Sequence, residues 1–300
     1  MFRKQMLTII GLLCFMGAQA QGDMPVLLTD TYKKVKYAPG ENAKFSKAKQ
    51  GQALQADGVL KLGGKSTAKL YSNGQFVEVK GKGKHKISQE LGDALNASGF
   101  GFASRFNDFL MAANEGSGTT DKVNPPGSGS GWGSKDSKIK PGIRLGALTG
   151  DEKVVFSWVS DKPATAYSFQ ILGKGDKVLY QAETKGPAHE VDLKELGLKP
   201  DMTYYWQAMV KDNSELSTGK LDFDVKSPLA KAKALAGLNN TPAYEQAGPA
   251  LKKLMEAAAF EDGGFYYDAL VAYTDALKMD TKNSAAQKMQ QAFVKRMGLK

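Results

Sequence analysis

Few residues of this 300-residue chain are of the types that carry catalysis or metal binding. There is one cysteine, Cys14, and there are two histidines, His85 and His189. A zinc site takes about four closely grouped ligands, and no such grouping occurs, so neither a metal nor a cofactor is expected. Gly63-Gly64-Lys65-Ser66-Thr67 resembles the end of a phosphate-binding loop, but the glycine that motif requires five residues before Gly64 is Val59. The residues that follow, Ala68-Lys69-Leu70-Tyr71, alternate like a strand rather than opening a helix. No pair of carboxylates stands out for glycoside chemistry. The chain is therefore read as non-enzymatic. The remaining charged motif is Lys80-Gly81-Lys82-Gly83-Lys84-His85-Lys86. If extended, it puts Lys80, Lys82, Lys84 and Lys86 on one face. Two readings stay open: lysines that protect a sheet edge, or a contact for a polyanion.

Charge is unevenly spread. The whole chain carries a net +10, and residues 21–92 alone carry 13 Lys against 6 Asp/Glu, whereas residues 143–227 carry 11 basic and 13 acidic residues. The basicity of the first region is all lysine. Nucleic-acid readers mix in arginine for bidentate contacts, so nucleic acid is not an expected partner. An anionic glycan or lipid surface is the alternative partner class.

Residues 1–20 combine basic Arg3 and Lys4, an apolar run from Met6 to Met16, and Ala18-Gln19-Ala20. That is the organisation of a secretory signal peptide, with cleavage after Ala20. The apolar run is shorter than the ~20 residues that span a bilayer, and no transmembrane span is expected in the remaining chain. Cys14 leaves with the signal, so no disulfide is expected. The mature protein is expected to be exported, periplasmic or peripherally attached to the envelope.

The elements that would position any binding residues fall into four regions, and the fold class expected is multidomain, β plus α. Residues 21–95 form a small all-β domain: Gln52–Gln55, Gly58–Leu62, Thr67–Tyr71 and Gln75–Val79 alternate apolar and polar residues. Asn73-Gly74 supplies a hairpin turn. The pattern Gly51, Leu54, Gly58, Leu60, Ser66, Ala68, Leu70, Gly74, Val77 and Val79 resembles the FecR-type periplasmic β-domain over roughly 50 residues. Ala56-Asp57-Gly58 departs from its usual Gly-Asp. The resemblance implies an exported module that relays or docks and carries no catalytic residues. Residues 96–142 hold a helical pattern, with apolar residues at 102, 106, 109, 110 and 113. A Gly/Ser/Pro-rich linker containing the isolated Trp132 follows.

Residues 143–227 contain six strand-like runs with turns between them, which suggests a sandwich. The segment from Leu196 to Trp206 resembles the fibronectin type III signature, with Leu198, Pro200 and Tyr204 in the family's places. The resemblance implies an Ig-like sandwich with Trp158 in its core and Tyr204 bonding back to the backbone. His189 is read as a surface strand residue.

Residues 228–300 are helical. Residues 250–283 have the length and the small/large pattern of one tetratricopeptide (TPR) repeat. Ala257, Ala269 and Ala276 take the small positions and Phe260 and Tyr273 the large ones, while Thr281 replaces the usual proline. One hairpin cannot bury its own face, so either Leu229–Gln246 form a degenerate preceding repeat or the hairpin packs on a neighbour. The resemblance implies a groove lined by Leu251, Leu254, Ala258 and Glu261, with an envelope protein as its partner. Leu251 and Leu254 serving as core is the other reading.

Taken together, the chain is expected to be a non-catalytic exported adaptor of a bacterial envelope. The alternative is a module that binds glycan or envelope polyanion through Lys80–Lys86 and the sandwich.

Overall fold

A computed structural model describes residues 26–96, 101–114, 116, 139–161 and 164–299. The signal segment and Trp132 lie outside the described residues. Among the described residues the architecture is mixed α and β, with four sheets and a helical C-terminal region.

The first region contains eight strands: β1 Val26–Tyr32, β2 Val35–Ala38, β3 Ser46–Lys47, β4 Gln52–Leu54, β5 Val59–Leu62, β6 Thr67–Ser72, β7 Gln75–Lys80 and β8 Gly83–Lys86. They form two antiparallel sheets, in the orders β4-β1-β6-β7 and β3-β2-β5-β8. Val26, Leu28, Leu60, Leu62, Leu70 and Val79 share one core between them. The β6–β7 turn has Asn73 and Gly74 both at positive φ, as a two-residue hairpin requires. Strands β1, β2 and β3 lie outside the expected set, and for β1 the reason is burial on both faces. Leu28 and Leu70 face the second sheet, whereas their neighbours Leu27 and Tyr71 face away from it into a different core. A strand covered on both faces loses the period-two signal.

Two short helices follow, α1 Ile87–Leu91 and α2 Asp93–Asn96, and then the longer α3 Phe102–Asn114. Helix α3 lies against Tyr71, whose ring meets that of Phe106 edge-on at 5.8 Å. Asn107 Nδ2 donates to Asn73 Oδ1 at 2.7 Å, and Asn73 Nδ2 donates to the carbonyls of Ala94 and Leu95. The Asn73 side chain thus ties its hairpin to both following segments.

The next region contains β9 Ile139–Pro141, β10 Ala147–Thr149, β11 Lys153–Ser160, β12 Tyr167–Leu172, β13 Val178–Thr184, β14 Ala188–Asp192, β15 Met202–Val210, β16 Asn213–Ser217 and β17 Leu221–Lys226. One sheet has the order β10-β17-β15-β12-β13, with β16 also paired to β15, and the other has the order β14-β11-β9. All pairs are antiparallel except β10 with β17. Phe156 and Trp158 of β11 pack on Phe169, Trp206 and Phe223 of the larger sheet. The two sheets therefore share one core.

The C-terminal region contains α4 Pro228–Asn239, α5 Pro242–Gln246, α6 Pro249–Asp262, α7 Tyr266–Met279 and α8 Ser284–Arg296. Ser227 caps α4 by accepting from the amide of Ala230, with Pro228 in the first turn. Asn283 caps α8 through the amide of Ala286. Ala257, Ala258, Ala269, Ala272 and Ala276 are buried where α6 and α7 approach each other.

Candidate functional site

The helical face expected to receive a partner is occupied by the chain itself. Leu251, Leu254 and Ala258 are buried, and they belong to one continuous core with Leu27, Tyr71, Phe106, Phe109 and Phe293. Ala257, Phe260, Ala269, Tyr273 and Ala276, on which the repeat resemblance rests, lie in the same core. The neighbours that the hairpin needed are therefore α4, α8 and α3 of the same chain. Burying one such leucine contributes ~1.5–3 kcal/mol, which is why this face is closed rather than left to solvent.

Glu261 is the polar centre of this core. Its carboxylate accepts from Arg296 Nε at 2.7 Å and Nη2 at 2.9 Å, and from the Tyr273 hydroxyl at 3.0 Å. The Arg296 guanidinium lies 5.4 Å from the centre of the Phe109 ring. Burial pushes the Glu261 carboxyl above its ordinary value, against the pull of Arg296 and Tyr273. Burial, together with the neighbouring Glu261 charge, raises the Tyr273 hydroxyl well above its ordinary range, so Tyr273 stays a donor. The arrangement orients three helices; its groups face one another instead of a solvent-accessible cleft.

What stays open beside this face is a crevice of about 510 Å³ between the first sheet and the start of α6. Leu27, Lys69, Phe76, Gln246, Leu251 and Asp280 are among its walls. Lys69 Nζ lies over the Phe76 ring at 4.2 Å and donates to the Gln246 carbonyl at 3.1 Å. Of the four groove residues, only Leu251 reaches this opening.

Both β-regions dock on the helices at glycines. Gly51 has φ +72°, and its carbonyl accepts from Ser284 Oγ at 2.6 Å. A Cβ on Gly51 would lie 2.0 Å from Asn283 Oδ1. Gly146 has φ +66°, and a Cβ there would lie 2.2 Å from the Gly264 carbonyl. Next to it the amide of Ala147 donates to Gly264 O at 2.9 Å and that of Tyr267 to Leu145 O at 3.1 Å. Lys231 of α4 then joins Glu152 of the second region to Asp268 of α7, 2.6 Å away. Burial opposes the Lys231 charge, but the two carboxylates outweigh it and raise its pKa.

The lysines of the 80–86 motif do not share one face. Lys80 ends β7 in one sheet and is paired with Glu78 at 2.8 Å. Gly81 and Gly83, both at positive φ, carry the chain over to the other sheet, where Lys84 and Lys86 stand on β8. Lys82 is exposed in the turn, and Lys86 lies 3.2 Å from Glu41. His85 bonds Glu90 at 2.9 Å and the Gly81 carbonyl at 3.0 Å. Strand pairing instead aligns Lys84 with Lys61, Lys61 with Lys36, and Lys36 with Lys47. Lys36, Lys47 and Lys61 were not among the expected residues, because cross-strand register has no local sequence signal.

In the second region Trp158 and Trp206 are buried, and Tyr205 between Tyr204 and Trp206 is partly exposed. The Lys199 amide donates to the Tyr204 hydroxyl at 2.8 Å. His189 is partly buried against Phe169 and bonds the Tyr180 hydroxyl at 2.8 Å. Among the described residues no helix is long and apolar enough to cross a membrane. Neither the protein-family models nor the curated proteins contain a match to this chain.

Proposed function

We propose that this protein is a non-catalytic exported scaffold of the bacterial envelope, built from a FecR-like module, a fibronectin type III-like sandwich and a TPR-like helical end. In this reading the helical end is first an internal brace. It holds both β-regions and, among the described residues, leaves an opening, the crevice at the start of α6, for a segment of a partner protein. The observation that carries the proposal is the continuous core joining Leu27 and Tyr71 to Leu254 and Phe293. It fills the groove that the repeat resemblance offers, and this supports the groove's rim as the place for protein contact. Mixed apolar and charged walls, Leu251 and Phe76 beside Lys69 and Asp280, suit an extended polypeptide with both kinds of side chain.

The test is an affinity pull-down from envelope extract with the chain from Gln21 on, beside an Ala250→Trp variant that fills the crevice. Loss of one protein partner in the variant, with unchanged melting, supports the reading. A partner retained equally by both proteins would move the contact away from the crevice.

A further inference from the structure

The outer face of sheet β3-β2-β5-β8 carries four lysines in direct cross-strand register: Lys47, Lys36, Lys61 and Lys84. They alternate with Val35, Leu60 and Leu62, which point into the sandwich core, so the lysines point out. With strands about 4.8 Å apart, the row runs ~14 Å across the sheet. Among the described residues no carboxylate lies within salt-bridge distance of these four. Like charges placed opposite one another destabilise a sheet. Protection against edge pairing accounts for Lys47 and Lys84, on the two edge strands. It does not account for Lys36 and Lys61, on the two central strands, where each lysine faces two others. Phe45 completes the surface. Its partly exposed ring lies 5.8 Å from Lys61 Nζ and 5.7 Å from Lys84 Nζ.

We propose that this row binds a linear acidic polysaccharide. An extended chain with an anion on successive sugars lies along the row, and each carboxylate or sulfate relieves the repulsion between two lysines. The Phe45 ring offers an apolar face to one sugar ring. Point-charge ammonium groups without arginine suit anions spaced along a flexible polymer better than planar bidentate phosphate recognition. The face is on the opposite side of the first sandwich from the helical brace, so it is independent of the crevice and stays accessible while the core is closed.

The test measures binding of alginate oligomers, neutral dextran and phosphatidylglycerol vesicles to the chain from Gln21 on. The proteins compared are wild type, Lys36→Gln/Lys61→Gln, Phe45→Ala and a control, Lys194→Gln/Lys199→Gln, on the other β-region. The expected result is alginate binding that weakens with salt, is lowered about tenfold or more by the Lys36/Lys61 pair, and is unchanged in the control. Phe45→Ala lowers alginate affinity without altering its salt dependence, and dextran does not bind. Two results would overturn the proposal: alginate binding that is absent or indifferent to Lys36 and Lys61, or vesicle binding with the same dependence on those two lysines.

Discussion

Glu261 and Arg296, at the ends of helices α6 and α8, form a doubly hydrogen-bonded ion pair that is almost completely removed from solvent, with Tyr273 as its third member. A buried pair of this kind contributes little net stability when intact, yet costs ~3–5 kcal/mol when one partner is removed. Glu261→Gln is therefore expected to destabilise the protein by about that amount, because Arg296 keeps its charge. Glu261→Met/Arg296→Met is expected to recover most of the loss. Urea unfolding of both variants checks this, and a double variant no better than the single one would overturn it.

Lys231 is the cation shared by Glu152 and Asp268. Lys231→Met leaves two carboxylates facing each other, and burial already raises the Asp268 pKa against the pull of Lys231. A loss of roughly 2–4 kcal/mol is expected. Amide exchange should accelerate at Ala147 and Tyr267, which hold the same junction. Faster exchange spread evenly over the molecule would argue against a local joint.

Gly51→Ala places a methyl group against Asn283, whose side chain caps α8, and it does so at a left-handed φ. The combined clash and strain should cost ~1–3 kcal/mol. The cost should appear as fraying of the first turn of α8, read by hydrogen exchange at Ala286 and Gln287.

His189 ties acid sensitivity to the second β-region. Burial pushes its imidazole below the ordinary value of 6.5, so the folded state favours the neutral ring. The contribution is complete above the unfolded value and is lost as pH falls through and below it. The melting temperature should therefore drop as pH falls through 6.5 and below. His189→Gln should show a smaller drop. An identical drop in the variant would assign the effect to other groups.

Removing like charge from the row on the first sandwich should stabilise the free protein. Lys36→Gln/Lys61→Gln is expected to gain ~0.5 kcal/mol at low ionic strength, and the gain should shrink as salt screens the row. Thermal melting across a salt series reads both effects, and a destabilised variant would contradict the account of the row.

Much of the architecture was legible where one face of an element meets water. Strands β5, β6, β7, β11 and β15 alternate clearly, and the caps and breaks at Ser227-Pro228, Gly248-Pro249 and Gly263-Gly264 mark the helices. Strand β1 was not legible, because Leu27 and Leu28 serve two different cores and their run shows no alternation. The residues of the helical face were legible as a set, but what covers them was not. Leu251 and Leu254 at helical spacing look the same whether they await a partner or join a core with α3. The Lys80–Lys86 motif misled for a related reason. Period two implies one face only while the strand continues, and the Gly81–Gly83 turn ends it. Lys36 and Lys61, 25 positions apart, become neighbours only through register.

The bond from Ser284 to the Gly51 carbonyl closes a loop of 233 residues. The sheet that opens the described fold thus receives part of its apolar cover, and a polar latch, from a helix more than 230 residues further along the chain. Contacts of such long range are slow to form, and although α3 already packs on Tyr71, Leu27 lacks part of its cover until α8 arrives. A nascent chain stalled anywhere before residue 284 would present a half-clothed sheet to its surroundings. The demand for chaperoning should therefore fall on the first region and last until residues 284–296 have been made.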